Sequence, residues 1–112
     1  DMDLYDYSSV LGTGFSMNKA TRLEYGDSLM THAMLFTGVD IDGSKSTKWR
    51  VENSWGTKGG DKGYYLMTDK WFDEYNYEIV VDKKYLPKRI LDLFNREPVA
   101  LDPWDPMGAL AK

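Results

Sequence analysis

Cysteine is missing from all 112 residues, and histidine occurs once. Without cysteine, neither a disulfide framework nor a Cys-based zinc site can form, and the compartment is reducing or unspecified. No apolar run approaches the roughly 18 residues that a membrane span needs, and DMDLYDYSS at the N-terminus lacks the basic and apolar regions of a signal peptide. A membrane partner is therefore not expected. Lys and Arg nowhere gather into a stripe with interleaved aromatics, and a net charge of −4 repels a phosphate backbone, which makes nucleic acid a poor partner. Methionine is also missing at position 1, so Asp1 reads as a beginning inside a longer gene product.

What is present is a folding sequence. An apolar share of 42%, with 8 Tyr, 4 Trp and 4 Phe, supplies a modest core for one β-rich domain with half-exposed rings. Residues 1–17 read as irregular or short extended structure. Asn18 is placed to cap a short helix from Lys19 to about Glu24, closed by Gly26. THAMLFTGV (31–39) is apolar on both parities and is followed by the turn signal DIDGSKS, which predicts a buried strand entering a hairpin. Lys48 to Ser54 is the return strand, and its alternation puts Trp49, Val51 and Asn53 on one face. GTKGGDKG (56–63) is a loop, GYYLMTD resumes strand character, WFDEYN makes a helical turn, YEIVVD (77–82) is a further strand, and Pro87 opens a short helix to about Phe94.

The fold class that follows is α+β. Strands near 31–40, 47–54, 63–68 and 77–82 are expected to form an antiparallel, barrel-like sheet with short helices, all within a domain of residues 1–95. Residues 96–112 carry Pro98, Pro103 and Pro106 and no helical period, so they read as an extended C-terminal arm.

A lone histidine in a buried strand is by default structural, but three neighbouring features give His32 a chemical role. Asn53 falls on the apolar face of the next strand, where its side-chain carbonyl can accept a proton from an imidazole nitrogen and fix the tautomer. Trp55, two residues on, can shield that hydrogen bond from water. The glycine-rich loop after it lets the backbone turn without bulk. A neutral amide orients the ring without favouring imidazolium as a carboxylate would, which suits a base paired with a thiolate. The residues thus describe a His–Asn pair whose cysteine lies elsewhere.

At these positions the sequence resembles a known family. THAM, WRVENSWG and GYYLMTDKWFDEY are similar to the C-terminal part of the papain-like cysteine peptidases, and LEYGDSLMTHAM, KWRVENSWG, YEIVVDKKYLP and WDPMGALAK narrow the likeness to the bleomycin hydrolase and bacterial aminopeptidase C branch. The resemblance implies that His32 is the catalytic histidine, Asn53 its orienting asparagine and Trp55 the ring covering their contact. The nucleophilic cysteine and the oxyanion-hole glutamine would belong to a preceding N-terminal part, so this stretch alone is expected to be inactive. The resemblance also implies a cytoplasmic homohexamer with enclosed active sites, acting without metal or cofactor on peptides with a free N-terminus. In that family the C-terminal arm enters the cleft and positions the substrate amine, a role that falls here on Gly108, Ala109, Leu110, Ala111 and Lys112. Retention or trimming of Lys112 would move the final carboxylate.

Other readings are weaker. Asp40, Asp42 and Ser44 match the first positions of a calcium loop, but glycine comes at the fourth position and Val51 stands where a bidentate Glu is needed; a hairpin turn fits better. GTKGGDKG is a phosphate loop only in glycine content, with Asp61 at the second-glycine position. Asp73 and Glu74 read as solvated carboxylates. Two functional classes remain: the base-carrying part of a thiol aminopeptidase, or a non-catalytic peptide-binding or assembly module on the same fold. A cysteine, or a Ser or Gly replacing it, in the preceding sequence discriminates between them.

Overall fold

A hairpin organises the chain. In the computed structural model, which describes residues 5–14 and 17–111, strand β1 (Leu35–Asp42) returns as β2 (Lys45–Glu52) through Gly43 and Ser44. Gly43 has φ 62°, and positive φ at the first turn position alone fits the type II′ turn that matches strand twist. The hairpin expected at DIDGSKS is therefore formed. Strand β3 (Tyr64–Thr68) pairs antiparallel with the other edge of β2, giving the order β1-β2-β3. Two bulges bend the hairpin, and a threonine occupies each. Thr37 Oγ1 accepts from Arg50 Nε at 3.1 Å, and Thr47 Oγ1 donates to the Asp40 carboxylate at 2.8 Å.

The helices hang on this sheet. Thr68 ends β3 and caps α3 (Asp69–Tyr75), its Oγ1 accepting from Trp71 N at 3.2 Å. Phe72 of α3 then stacks on Trp49 of β2 with centroids 4.7 Å apart, and Phe36 packs edge-on against both rings. Beside them Val51 is 1% exposed and Met67 is 9%, the two buried apolar residues among those described. Asp69 ties the polar edge of this cluster. Its Oδ1 accepts from Ser46 Oγ at 2.5 Å and from Trp49 Nε1 at 2.9 Å, and these two donors, the Ser46 hydroxyl first, hold its carboxyl below the usual range.

The expected helix α2 forms over Lys19–Glu24, with Asn18 Oδ1 accepting from Thr21 N at 2.9 Å and Gly26 at φ 71° closing it. The helix after Pro87 is α4 (Lys88–Leu91), tightening into a 3₁₀ turn at Asp92–Asn95. Four details differ from the sequence reading. Residues 7–11 are helical, not irregular: α1 (Tyr7–Leu11) is capped by Asp6, which accepts from Ser9 N at 3.1 Å, and is ended by Gly12 at φ 65°. The stretch 31–34 is irregular, and β1, which starts only at Leu35, is largely exposed. Residues 77–82 form no strand among the described residues, and Val80 is 93% exposed. The sheet is consequently open, with three strands, and does not close as a barrel. In the C-terminal stretch a 3₁₀ turn at Pro106–Ala111 interrupts the extended path. Lys112 lies outside the described residues.

The radius of gyration, 17.2 Å, is well above the roughly 13 Å of a compact domain this long. Leu35, Ile41, Leu66, Phe94 and Trp104 are all exposed. Large apolar side chains left exposed in this number favour association. The 112-residue chain is expected to bind a hydrophobic dye and to sediment as concentration-dependent oligomers; a dye-negative, concentration-independent monomer contradicts this.

Asp69 gives a second test. Because its folded pKa is depressed, its stabilising contribution is present above the unfolded value near 4 and is lost as pH falls through the folded value. Asp69→Ala should therefore lower the melting midpoint at neutral pH, and the difference from the parent should close below about pH 4. A difference that persists unchanged in acid would show that the carboxylate charge is not what Ser46 and Trp49 hold.

Candidate active site

The two polar residues singled out from the sequence are carried by the segments that enter and leave one hairpin at its open end. His32 sits in the irregular stretch just before β1, and Asn53 follows the last residue of β2. Pairing of Leu35 with Glu52 brings those flanking segments side by side. Asn53 N donates to Gly63 O at 3.0 Å, which extends the β2–β3 register one residue past the sheet and fixes the backbone from which its side chain projects.

The amide of Asn53 is oriented by its own neighbour. Ser54 N donates to Asn53 Oδ1 at 2.8 Å, and a backbone N–H can only donate, so the atom at that position must be oxygen. The same oxygen lies 2.9 Å from His32 Nε2. Since Oδ1 can only accept, Nε2 carries the proton, and in the neutral ring Nδ1 is left with the lone pair. Sequence reasoning did not identify the role of Ser54, although Asn before a tight Ser-Trp-Gly run is the residue type that bonds its own following backbone.

Trp55 lies against the imidazole, with ring centroids 4.9 Å apart and planes at 36°. It covers one side of the ring while remaining 72% exposed itself, so the pair is partly screened and His32 stays open to solvent. The loop behind Trp55 is pressed onto β3. A Cβ on Gly59 would stand 2.3 Å from the Tyr65 hydroxyl, and one on Gly60 would stand 2.2 Å from Tyr64 O. Asp61 and Tyr64 exchange backbone hydrogen bonds at 2.9 and 3.0 Å, closing the loop as a surface turn.

Among the described residues, the hydrogen bonds of the C-terminal candidates do not involve this pair. Gly108 N donates to Asp105 O at 2.9 Å and Met107 N to Asp105 Oδ1 at 2.8 Å, so the hydrogen bonds described for the C-terminal stretch are local. Ala109, Leu110 and Ala111 belong to the 3₁₀ turn, and Lys112 is not described. Glu74 is not a free carboxylate: it pairs with Arg22. Among the described residues no three His, Cys, Asp or Glu side chains come together as a metal site, and no helix is long and apolar enough to cross a membrane. Chemically the arrangement offers one imidazole nitrogen with a free lone pair, on a ring whose other nitrogen is held by a neutral amide.

The chain has known relatives. The model of the Peptidase C1-like family matches residues 1–108. Human bleomycin hydrolase is 57% identical over the whole chain, which corresponds to 26% of that protein, and aminopeptidase C of Lactococcus lactis subsp. lactis is 55% identical over 98% of the chain and 26% of its own length. The crystal structure of PepW from Lactobacillus rhamnosis HN001 superposes with a TM-score of 0.86 at 53% identity, over 97% of this chain and 25% of that one. The chain spans about a quarter of the length of the relatives it matches. Its α+β architecture is that of the papain-like fold, and the chain belongs to the Peptidase C1-like family, in its bleomycin hydrolase and aminopeptidase C branch.

Proposed function

We propose that this chain supplies the acid–base half of a cysteine aminopeptidase, with His32 as the base and Asn53 as its orienting partner. The observation that carries the reading is the 2.9 Å contact between His32 Nε2 and Asn53 Oδ1, in a chain whose relatives include bleomycin hydrolase and aminopeptidase C. The nucleophilic cysteine and an oxyanion-stabilising glutamine lie outside these 112 residues, since the chain has no cysteine.

In this mechanism Nδ1 takes the thiol proton, and the thiolate attacks the carbonyl carbon of the first peptide bond. The imidazolium then gives that proton to the departing amine, leaving an acyl-enzyme. Next Nδ1 accepts a proton from water, the hydroxide attacks the acyl carbon, and the released thiolate completes the cycle. Asn53 does not change protonation state; it keeps the ring from turning while Nδ1 alternates between the two forms. Trp55 reduces competition by water for the Asn53 oxygen. The tail 108–112, bending at Gly108, would lie along the substrate groove, hold the free N-terminal amine and so limit cleavage to N-terminal residues. Assembly as a cytoplasmic hexamer belongs to the same proposal and rests on the family likeness.

The test uses the complete peptidase. His32→Ala should cost about 10²–10⁴-fold in kcat, and Asn53→Ala on the order of tenfold with KM little changed, because orientation acts on the chemical step. Thiol alkylation should abolish turnover. Turnover that survives alkylation, or an Asn53→Ala variant affected only in KM, overturns the assignment.

Deleting residues 108–112 should leave intrinsic turnover but relax the preference for free over N-terminally blocked peptides and admit internal cleavage, as followed by mass spectrometry of the products. An unchanged preference would remove the tail from the specificity device.

A further inference from the structure

The histidine of the pair has a positioning problem that the asparagine does not. Asn53 is one residue from a strand and bonded to Gly63 O, whereas His32 lies within residues 29–34, which have no regular structure. Downstream that stretch is anchored where β1 begins at Leu35. Something must also fix it upstream, because an untethered loop spreads the imidazole over many positions and dilutes the reactive one.

We propose that the Ser28–Tyr77 hydrogen bond is a latch that seats His32, which makes Ser28 and Tyr77 positioning residues for the base. Ser28 Oγ and the Tyr77 hydroxyl are 2.5 Å apart in a part-buried contact. Three residues lie between Ser28 and His32, and the four steps from one to the other reach at most about 14 Å when fully extended. Holding Ser28 therefore confines the imidazole from one side while β1 confines it from the other.

Both members of the latch are themselves held. On the Ser28 side, Asp27 N and Ser28 N donate to Arg22 O at 2.9 and 3.2 Å, which folds the chain back on the end of α2. Arg22 pairs with the Glu74 carboxylate and donates to Glu74 O at 3.2 Å. On the Tyr77 side, Lys19 Nζ donates to the carbonyls of Asp73 and Asn76 at 2.7 and 2.6 Å and sits 5.1 Å over the Tyr77 ring. Helix α2 thus grips the C-terminal end of α3, and the tyrosine just beyond α3 reaches the serine just beyond α2. The latch gives Tyr77 a role that does not require residues 77–82 to be a strand.

The inference rests on the proposed role of His32, and the experiment separates the two. In the complete peptidase, Tyr77→Phe keeps the ring beneath Lys19 and removes only the hydroxyl. It and Ser28→Ala should each lower kcat about three- to tenfold, with KM within about twofold and an unchanged melting midpoint. The double variant should be no slower than either single one, since both remove the same contact. Ser28→Thr, which retains a hydroxyl, should recover most of the lost turnover. Where Ser28→Ala is unstable, Tyr77→Phe and Ser28→Thr decide the matter. His32→Ala is measured alongside. If it abolishes turnover while Tyr77→Phe is as fast as the parent, or slower only through KM or a lower melting midpoint, the latch is wrong and the base stands. If His32→Ala leaves turnover intact, the base assignment fails and the latch falls with it.

Discussion

The stack of Trp49 on Phe72 is the contact from which the rest of the molecule is positioned. It joins the central strand to α3, and Asp69 fastens its edge by accepting from both Ser46 and Trp49. From there two routes run to the same place. Along β2 the chain passes buried Val51 and reaches Asn53 directly. Through α3 the route crosses to α2 by way of Lys19 and Arg22, turns at Gly26 and arrives at His32. The two routes are brought together where Leu35 pairs with Glu52, and the aromatic contact holds the strand and helix from which they run.

The electrostatic character of the pair follows from the residue chosen as partner. Ser54 N and His32 Nε2 both donate to one amide oxygen, so the orientation is set by a backbone N–H and by the ring itself. A carboxylate in the same position would add a full charge beside the imidazole and bias it toward the protonated form. With an amide, the partner of Nε2 adds no net charge, and Nδ1 keeps its lone pair.

Local signals with a physical cause could be read from the sequence. Asn18 before a short amphipathic run and Gly after it gave α2, and the alternation of KWRVENS placed Trp49 and Val51 on the packed face of β2. The same alternation put Asn53 on the side where it meets His32. What could not be read depends on neighbours. YEIVVD has the composition of a strand, but strand propensity measures fit to a half-buried pleated surface, and no strand among the described residues supplies one. The apolar run 31–39 suggested burial for the same reason, while β1 is largely exposed. Helix α1 was missed because five residues are too few to show a period, although Asp6 and Gly12 marked its ends. Contacts such as Ser28 with Tyr77, 49 residues apart, leave no local trace at all.

The loop behind Trp55 has a dynamic consequence. Gly59 and Gly60 lie so close to Tyr65 and Tyr64 that not even a methyl group fits between them, so this wall of the site cannot part from β3 without breaking its own backbone pairing at Asp61. A segment packed to that degree does not behave as a lid. The site is therefore built unevenly: the wall carrying the asparagine is tied down along its backbone, whereas the stretch bearing the histidine is held only near its two ends, at Ser28 and where β1 begins.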